Sequence, residues 1–140
     1  MKSTSVFDCN FLELPKNHTE QGNITAVNNG REVPFEIHRV YYLYDVPGGE
    51  GRGGHAHKNL QQLIIAASGS FDLTVDDGNV TRTFQLNRPY QGVFVPSGLW
   101  RELNNFSSGS ICLVLASIPY SENDYIRDYQ EYLNFKKIDT

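Results

Sequence analysis

A chain of 140 residues with 39% hydrophobic and 20% charged side chains has the make-up of a folded globular protein and room for one domain, 1–140. A formal net charge of −4 leaves no basic footprint for nucleic acid, so an anionic ligand has to be met by a local cluster of Arg and Lys. No stretch approaches the ~20 apolar residues of a membrane span. The two cysteines, Cys9 and Cys112, lie far apart outside any CxxC pattern, which fits reduced, buried thiols in a cytoplasmic protein better than a disulfide framework or a zinc–thiolate site.

In chain order, the first residues, Met1 to Phe11, have no long apolar core after Lys2 and do not read as a signal peptide. A polar stretch follows up to Gly30, with His18 in an exposed loop, Lys16 to Thr19. Turn signals then recur at Asn28-Asn29-Gly30, Pro47-Gly48-Gly49, Ser68-Gly69-Ser70, Asp76-Asp77-Gly78, Pro96-Ser97-Gly98 and Ser107-Ser108-Gly109. Between them lie short strand-like runs, Val40–Tyr44, Leu63–Ala67, Phe71–Val75, Thr81–Leu86, Gly92–Val95 and Ile111–Leu115, a spacing that predicts an all-β sandwich or barrel. Asp76-Asp77-Gly78-Asn79 predicts a hairpin with Gly78 at positive φ, and Phe71, Leu73 and Val75 share one face of its first strand. After Pro119 the period changes. Ser121 with Asp124 three residues on looks like a helix cap, and Tyr125, Ile126, Tyr129, Tyr132 and Leu133 follow helical spacing, so one helix is expected over about 122–135.

The strongest chemical signal is His55-Ala56-His57. Residues two apart on a strand face the same way, so both imidazoles point to one side, into the barrel if Ala56 packs outward. Two further residues carry less: His38 reads as a structural residue on a strand, and Trp100 as packing at the barrel rim.

Here the sequence resembles the cupin superfamily. Gly49, five residues, His55-Ala56-His57, four residues, Gln62, six residues and Gly69 reproduce the spacing of its first motif, with Gln62 in the place of the usual Glu. Gly92, Pro96-Ser97-Gly98, Leu99-Trp100 and Asn105 outline the second motif, with Arg101 in the slot of the third metal-binding His. The resemblance implies an all-β, cupin-type double-stranded β-helix (jelly-roll) barrel with one C-terminal α-helix. A metal in such a barrel draws on three His and one Glu. Arg101 has no lone pair to give and Gln62 removes the anionic ligand, so no metal and no other cofactor are expected. A His pair freed from a metal is a general acid–base device, with an ordinary pKa of about 6.5.

More of the chain, about residues 33–135, resembles one cupin family, the sugar 3,4-ketoisomerases of dTDP-4-keto-6-deoxyglucose. The matching stretches include Val33 to Tyr42, Arg52-Gly53-Gly54-His55-Ala56-His57-Lys58, Val75 to Gly78, Asn105 to Ser108, Leu113 to Ser117 and Asp124-Tyr125-Ile126-Arg127. The resemblance implies an isomerase that moves a ketone from carbon 4 to carbon 3 of a dTDP-linked hexose through an enediolate, for a deoxy(amino) sugar of surface polysaccharide. His55 is expected as the carbon base and His57 as its proton shuttle, two roles that sequence leaves exchangeable. Tyr41 or Tyr42, whichever faces inward, is expected on the sugar hydroxyls; if the strand alternates, Arg39 and Tyr41 share one face and Tyr42 the other. Arg39, Arg52, Lys58 and Arg101 are candidates for the diphosphate, and Gln62 for a polar substrate contact. A homodimer is implied, with the stretch up to Gly30 as a piece exchanged between subunits. Glu20-Gln21-Gly22 departs from the family's Arg-containing turn and leaves that Arg's contact without a counterpart. The competing readings are a 3,5-epimerase of the same keto sugars, which normally wants an Asp partner for its His, a non-catalytic sugar-nucleotide-binding module, and a metal-dependent oxygenase.

Overall fold

Residues of alternating polarity form strands because successive side chains leave a strand on opposite faces, and a half-buried sheet needs apolar groups on one face only. The computed structural model describes residues 3–48 and 51–137, and of residues 52 and 53 the backbone alone. Its elements are β1 (Asn10–Glu13), β2 (Asn17–Thr19), β3 (Gly22–Ile24), β4 (Arg39–Leu43), β5 (Arg52–His57), β6 (Gln62–Ser68), β7 (Phe71–Asp76), β8 (Thr81–Leu86), β9 (Gln91–Val95), β10 (Trp100–Asn104), β11 (Ile111–Ala116), β12 (Tyr125–Ile126) and α1 (Tyr129–Lys137).

Two five-stranded antiparallel sheets, ordered β1-β9-β6-β11-β4 and β12-β5-β10-β7-β8, face each other, and β2 and β3 form a separate hairpin. This is the jelly-roll barrel that the cupin resemblance implies. The predicted strands fall where expected, each shifted by at most a residue or two at its ends. Phe71, Leu73 and Val75 do share the buried inner face, packed with Ile64, Val93 and Val114 of the opposite sheet. At the β7–β8 turn Gly78 has φ +92°. Gly69, the last position of the first cupin motif, has φ +69°, and an added Cβ would meet Ser110 Cα at 2.8 Å, so only glycine fits there. His18 is exposed as expected, but on β2 rather than in a loop, with its Nδ1 2.6 Å from Asn23 Oδ1.

Two smaller cores lie outside the barrel. Leu63, Ile65 and Leu115 project from the outer face of the first sheet and are partly covered by Leu14, Val33 and Phe35. On the outer face of the second sheet, Ala56, Trp100 and Ile126 pack under Tyr132 of α1. Trp100 is therefore buried beneath the helix rather than at the rim, and its Nε1–H donates to Glu102 Oε2 at 2.9 Å.

The C-terminal helix is shorter than expected and starts later. Residues Glu122–Asp124 form one 3-10 turn, Ser121 makes no side-chain cap bond, and Tyr125–Ile126 pair with His57 and Ala56 as a strand. The cap is instead Asp128, whose Oδ2 accepts the backbone N–H of Glu131 at 3.0 Å. The aromatic spacing that suggested a helix from 122 is real only from Tyr129 onward. Ahead of it, tertiary bonds to Asp124 hold the 3-10 turn and the short strand that follows it.

Candidate active site

The site is built on β5 and β10, which pair so that His55 lies opposite Arg101. Ala56 turns outward under α1, and His55 and His57 therefore turn inward, as the period of two requires. They are 8% and 3% exposed. Their Nε2 atoms are 3.1 Å apart and the rings meet edge to face. The Tyr125 ring covers both, at 5.0 Å from His55 and 4.4 Å from His57 between centroids.

Behind the pair lies a carboxylate. His57 Nδ1 is 3.0 Å from Asp124 Oδ2. The same carboxylate accepts the backbone N–H of Asn59 at 2.7 Å and that of Leu60 at 3.3 Å, while the Asp124 carbonyl accepts the N–H of Lys58. Burial, with Arg101 next, lowers the pKa of His55 to about 2. His57 is lowered to about 4 by burial and Arg101, against an upward pull from Asp124. Burial thus favours the neutral form of both rings.

Arg101 is 2% exposed, and its Nη2–H donates to Tyr41 Oη at 2.9 Å. Its Nε and Nη1, and Oε1 of the equally buried Gln62, have no hydrogen-bond partner among the described residues. A buried guanidinium with two unmet N–H groups costs several kcal/mol, a cost that an anionic oxygen in the adjoining space would offset. That space is a cavity of about 300 Å³ lined by His55, Arg101, Tyr41, Tyr125 and Arg127 among others. Against the lining tyrosines, Arg39 lies over the Tyr41 ring at 4.5 Å with Nη1 3.4 Å from Tyr125 Oη, and Arg127 lies over Tyr125 at 4.1 Å. A metal does not fit this set of groups. The fold's third His slot holds a guanidinium, its carboxylate slot holds Gln62, and the two Nε2 atoms face each other at hydrogen-bond distance.

Comparison with known proteins gives the family. The family model described as "FdtA: WxcM-like, C-terminal" matches residues 7–137. A TDP-4-oxo-6-deoxy-α-D-glucose-3,4-oxoisomerase of Aneurinibacillus thermoaerophilus is 43% identical over 117 residues, 84% of this chain and 82% of that one. The structure of a TDP-quinovose 3,4-ketoisomerase from Campylobacter jejuni superposes with a TM-score of 0.88 at 44% identity, covering 92% of this chain and 99% of the other. A sugar 3,4-ketoisomerase from Thermoanaerobacterium thermosaccharolyticum, solved in complex with TDP, superposes at 0.92 with 32% identity, covering 96% and 98%.

The chain belongs to the sugar 3,4-ketoisomerase family.

Of the residues singled out in the sequence of this family member, His55, His57, Arg39, Tyr41 and Arg101 converge on one site. Gln62 is buried in the same barrel but does not line the cavity with His55. Tyr42 is corrected: β4 alternates, Arg39 and Tyr41 face in, and Tyr42 is 58% exposed on the outer face beside Tyr44. Lys58 is exposed and does not line the cavity, and the side chain of Arg52 lies outside the described residues. Three further residues at the site lie where the sequence suggests a helix: Asp124 at its expected cap, and Tyr125 and Arg127 within it. The motif Asp124-Tyr125-Ile126-Arg127 was the available signal, since it matches the family at a point where a helix alone would demand no such residues.

Proposed function

We propose that this chain moves the ketone of a dTDP-linked 4-keto-6-deoxyhexose from carbon 4 to carbon 3. The observation that carries the reading is a histidine pair beside a buried guanidinium whose Nε and Nη1 have no hydrogen-bond partner among the described residues, with His55 and Arg101 on the wall of one cavity. The hydrogen on carbon 3 is acidified by the carbonyl at carbon 4. The pair takes it as a proton while the C–H electrons form the enediolate double bond, and negative charge develops on the carbon 4 oxygen. Arg101 is suited to that oxygen because its unmet N–H groups are already in place and desolvated. The 3-hydroxyl proton then passes to the carbon 4 oxygen, electrons return to make the carbon 3 carbonyl, and carbon 4 takes a proton. Atoms and electrons balance without an oxidant or reductant.

We assign the carbon base to His55, which lines the cavity, and the shuttle to His57 behind it. Tyr41 meets the sugar, and Arg39 and Arg127, both against Tyr125, meet the diphosphate. A homodimer fits the outer face of the first sheet, where Val40, Ile65, Leu113 and Leu115 border a second hollow of about 650 Å³. The N-terminal stretch up to Gly30 is the piece that two subunits would exchange, with β1 then pairing with the partner's β9. The cytoplasm is the compartment that suits two free, buried thiols. Among the described residues no helix is long and apolar enough to cross a membrane.

The test is incubation of the purified protein with dTDP-4-keto-6-deoxyglucose in heavy water. The expected product carries its carbonyl at carbon 3 and deuterium at carbon 4 by NMR. Tight binding with no new product would instead mark a binding module. Exchange at carbon 5 would mark the 3,5-epimerase, for which the Asp124–His57 contact is the feature in favour.

A further inference from the structure

Of the groups at the site, Asp124 has no part in the reaction as described so far, yet it is the buried carboxylate in contact with the pair, 67 residues away in sequence. We infer that Asp124 is the anionic end of a proton relay, Asp124–His57–His55, that sets the direction in which the pair accepts a proton. This rests on the ketoisomerase reading of the site.

The hydrogen bonds dictate the direction. The Asp124 oxygens already accept backbone N–H groups from Asn59 and Leu60, so the carboxylate is an acceptor and the ring nitrogen facing it must donate. His57 therefore carries its hydrogen on Nδ1. Its Nε2 is then a lone pair when the ring is neutral, and the 3.1 Å contact with His55 Nε2 needs a hydrogen that His55 supplies. A proton delivered to His55 pushes that shared hydrogen onto His57 Nε2, and the positive charge comes to rest beside Asp124. On return the same hydrogens move back, one proton in and one proton out.

Charge neighbours explain why the pair requires this carboxylate. Arg101 from β10 and Arg39 from β4 act against an imidazolium at His57, and Arg101, Arg127 and Arg39 against one at His55. The Tyr125 ring closes another side. Asp124 is the group raising the proton affinity of His57, through both its charge and its hydrogen bond. Asp124 thus acts through His57 as a positioning residue, and its double hold on the 59–60 backbone fixes the carboxylate where the ring needs it.

The test pairs ¹⁵N-histidine NMR of the wild-type protein with kinetics of Asp124→Asn. The wild type is expected to show His57 as the Nδ1–H tautomer in the resting state. Asp124→Asn is expected to lower kcat about 100-fold or more with KM changed less than about threefold, and to move the acid limb of the rate profile to lower pH as His57 loses proton affinity. A merely structural role would lower stability and raise KM, leaving that limb in place, and such a result overturns the relay. So does a wild-type His57 protonated at Nε2, a measurement that stands whether or not the variant folds. If the wild type turns over no keto sugar, the functional reading fails, while the tautomer spectrum still decides the hydrogen-bond direction.

Discussion

The two sheets of the barrel put their faces to different uses. The second sheet turns His55, His57 and Arg101 inward and hides its outer face beneath α1. The first closes the barrel with Ile64, Ala66 and Val114 and keeps a second apolar surface outside, on Ile65, Leu113 and Leu115. β4 at its edge holds both worlds in adjacent residues, with Tyr41 bonded to Arg101 inside and Tyr42 exposed outside. A strand can do this because its side-chain period is two, so neighbours in sequence meet unrelated surroundings. Stability and chemistry are thus divided by face, not by segment.

Substitutions on the two faces sharpen that division. The largest effect is expected from His55→Asn, which should lower kcat by about 1,000-fold or more while the thermal midpoint moves by only a few degrees, because among the described residues the ring's hydrogen bond is to His57. A variant with near wild-type turnover would remove His55 from the base role. Arg101→Leu comes next. Removing an oxyanion donor should lower kcat by about 100-fold to 1,000-fold, yet urea denaturation should find the variant as stable as wild type or more so, because a buried, half-satisfied guanidinium is replaced by an apolar group. A loss of stability together with activity would break the separation of chemistry from scaffold. The smallest effect belongs to Tyr42→Ala on the outer face. Its kcat/KM should stay within about twofold of wild type, since an exposed residue away from the cavity contributes little to a transition state it does not touch; a tenfold loss in steady-state assays would return Tyr42 to the site.

Much of this site was legible in the sequence. The His-Ala-His spacing, with a small apolar residue between the rings, is a local pattern that a strand converts directly into two inward imidazoles. Arg101 was legible too, because a motif slot carried its inward direction with it. Asp124 was not. Its near neighbours, Ser121 and the aromatic residues after it, imitate the start of a helix, and the same Asp could cap one or reach across the barrel. Local propensity is worth a few tenths of a kcal/mol per residue, and the buried bonds from Asp124 to His57, Asn59 and Leu60 outweigh it.

By itself, then, the sequence determined the strand order of polarity, the turns, the family and the imidazole pair, all of which depend on spacings of a few residues. Only the tertiary structure decided which of Tyr41 and Tyr42 meets the cavity, where the helix begins, and that a carboxylate stands behind His57. Those outcomes depend on contacts between segments far apart in the chain, whose energies arise only when the two sheets close and water leaves the space between them.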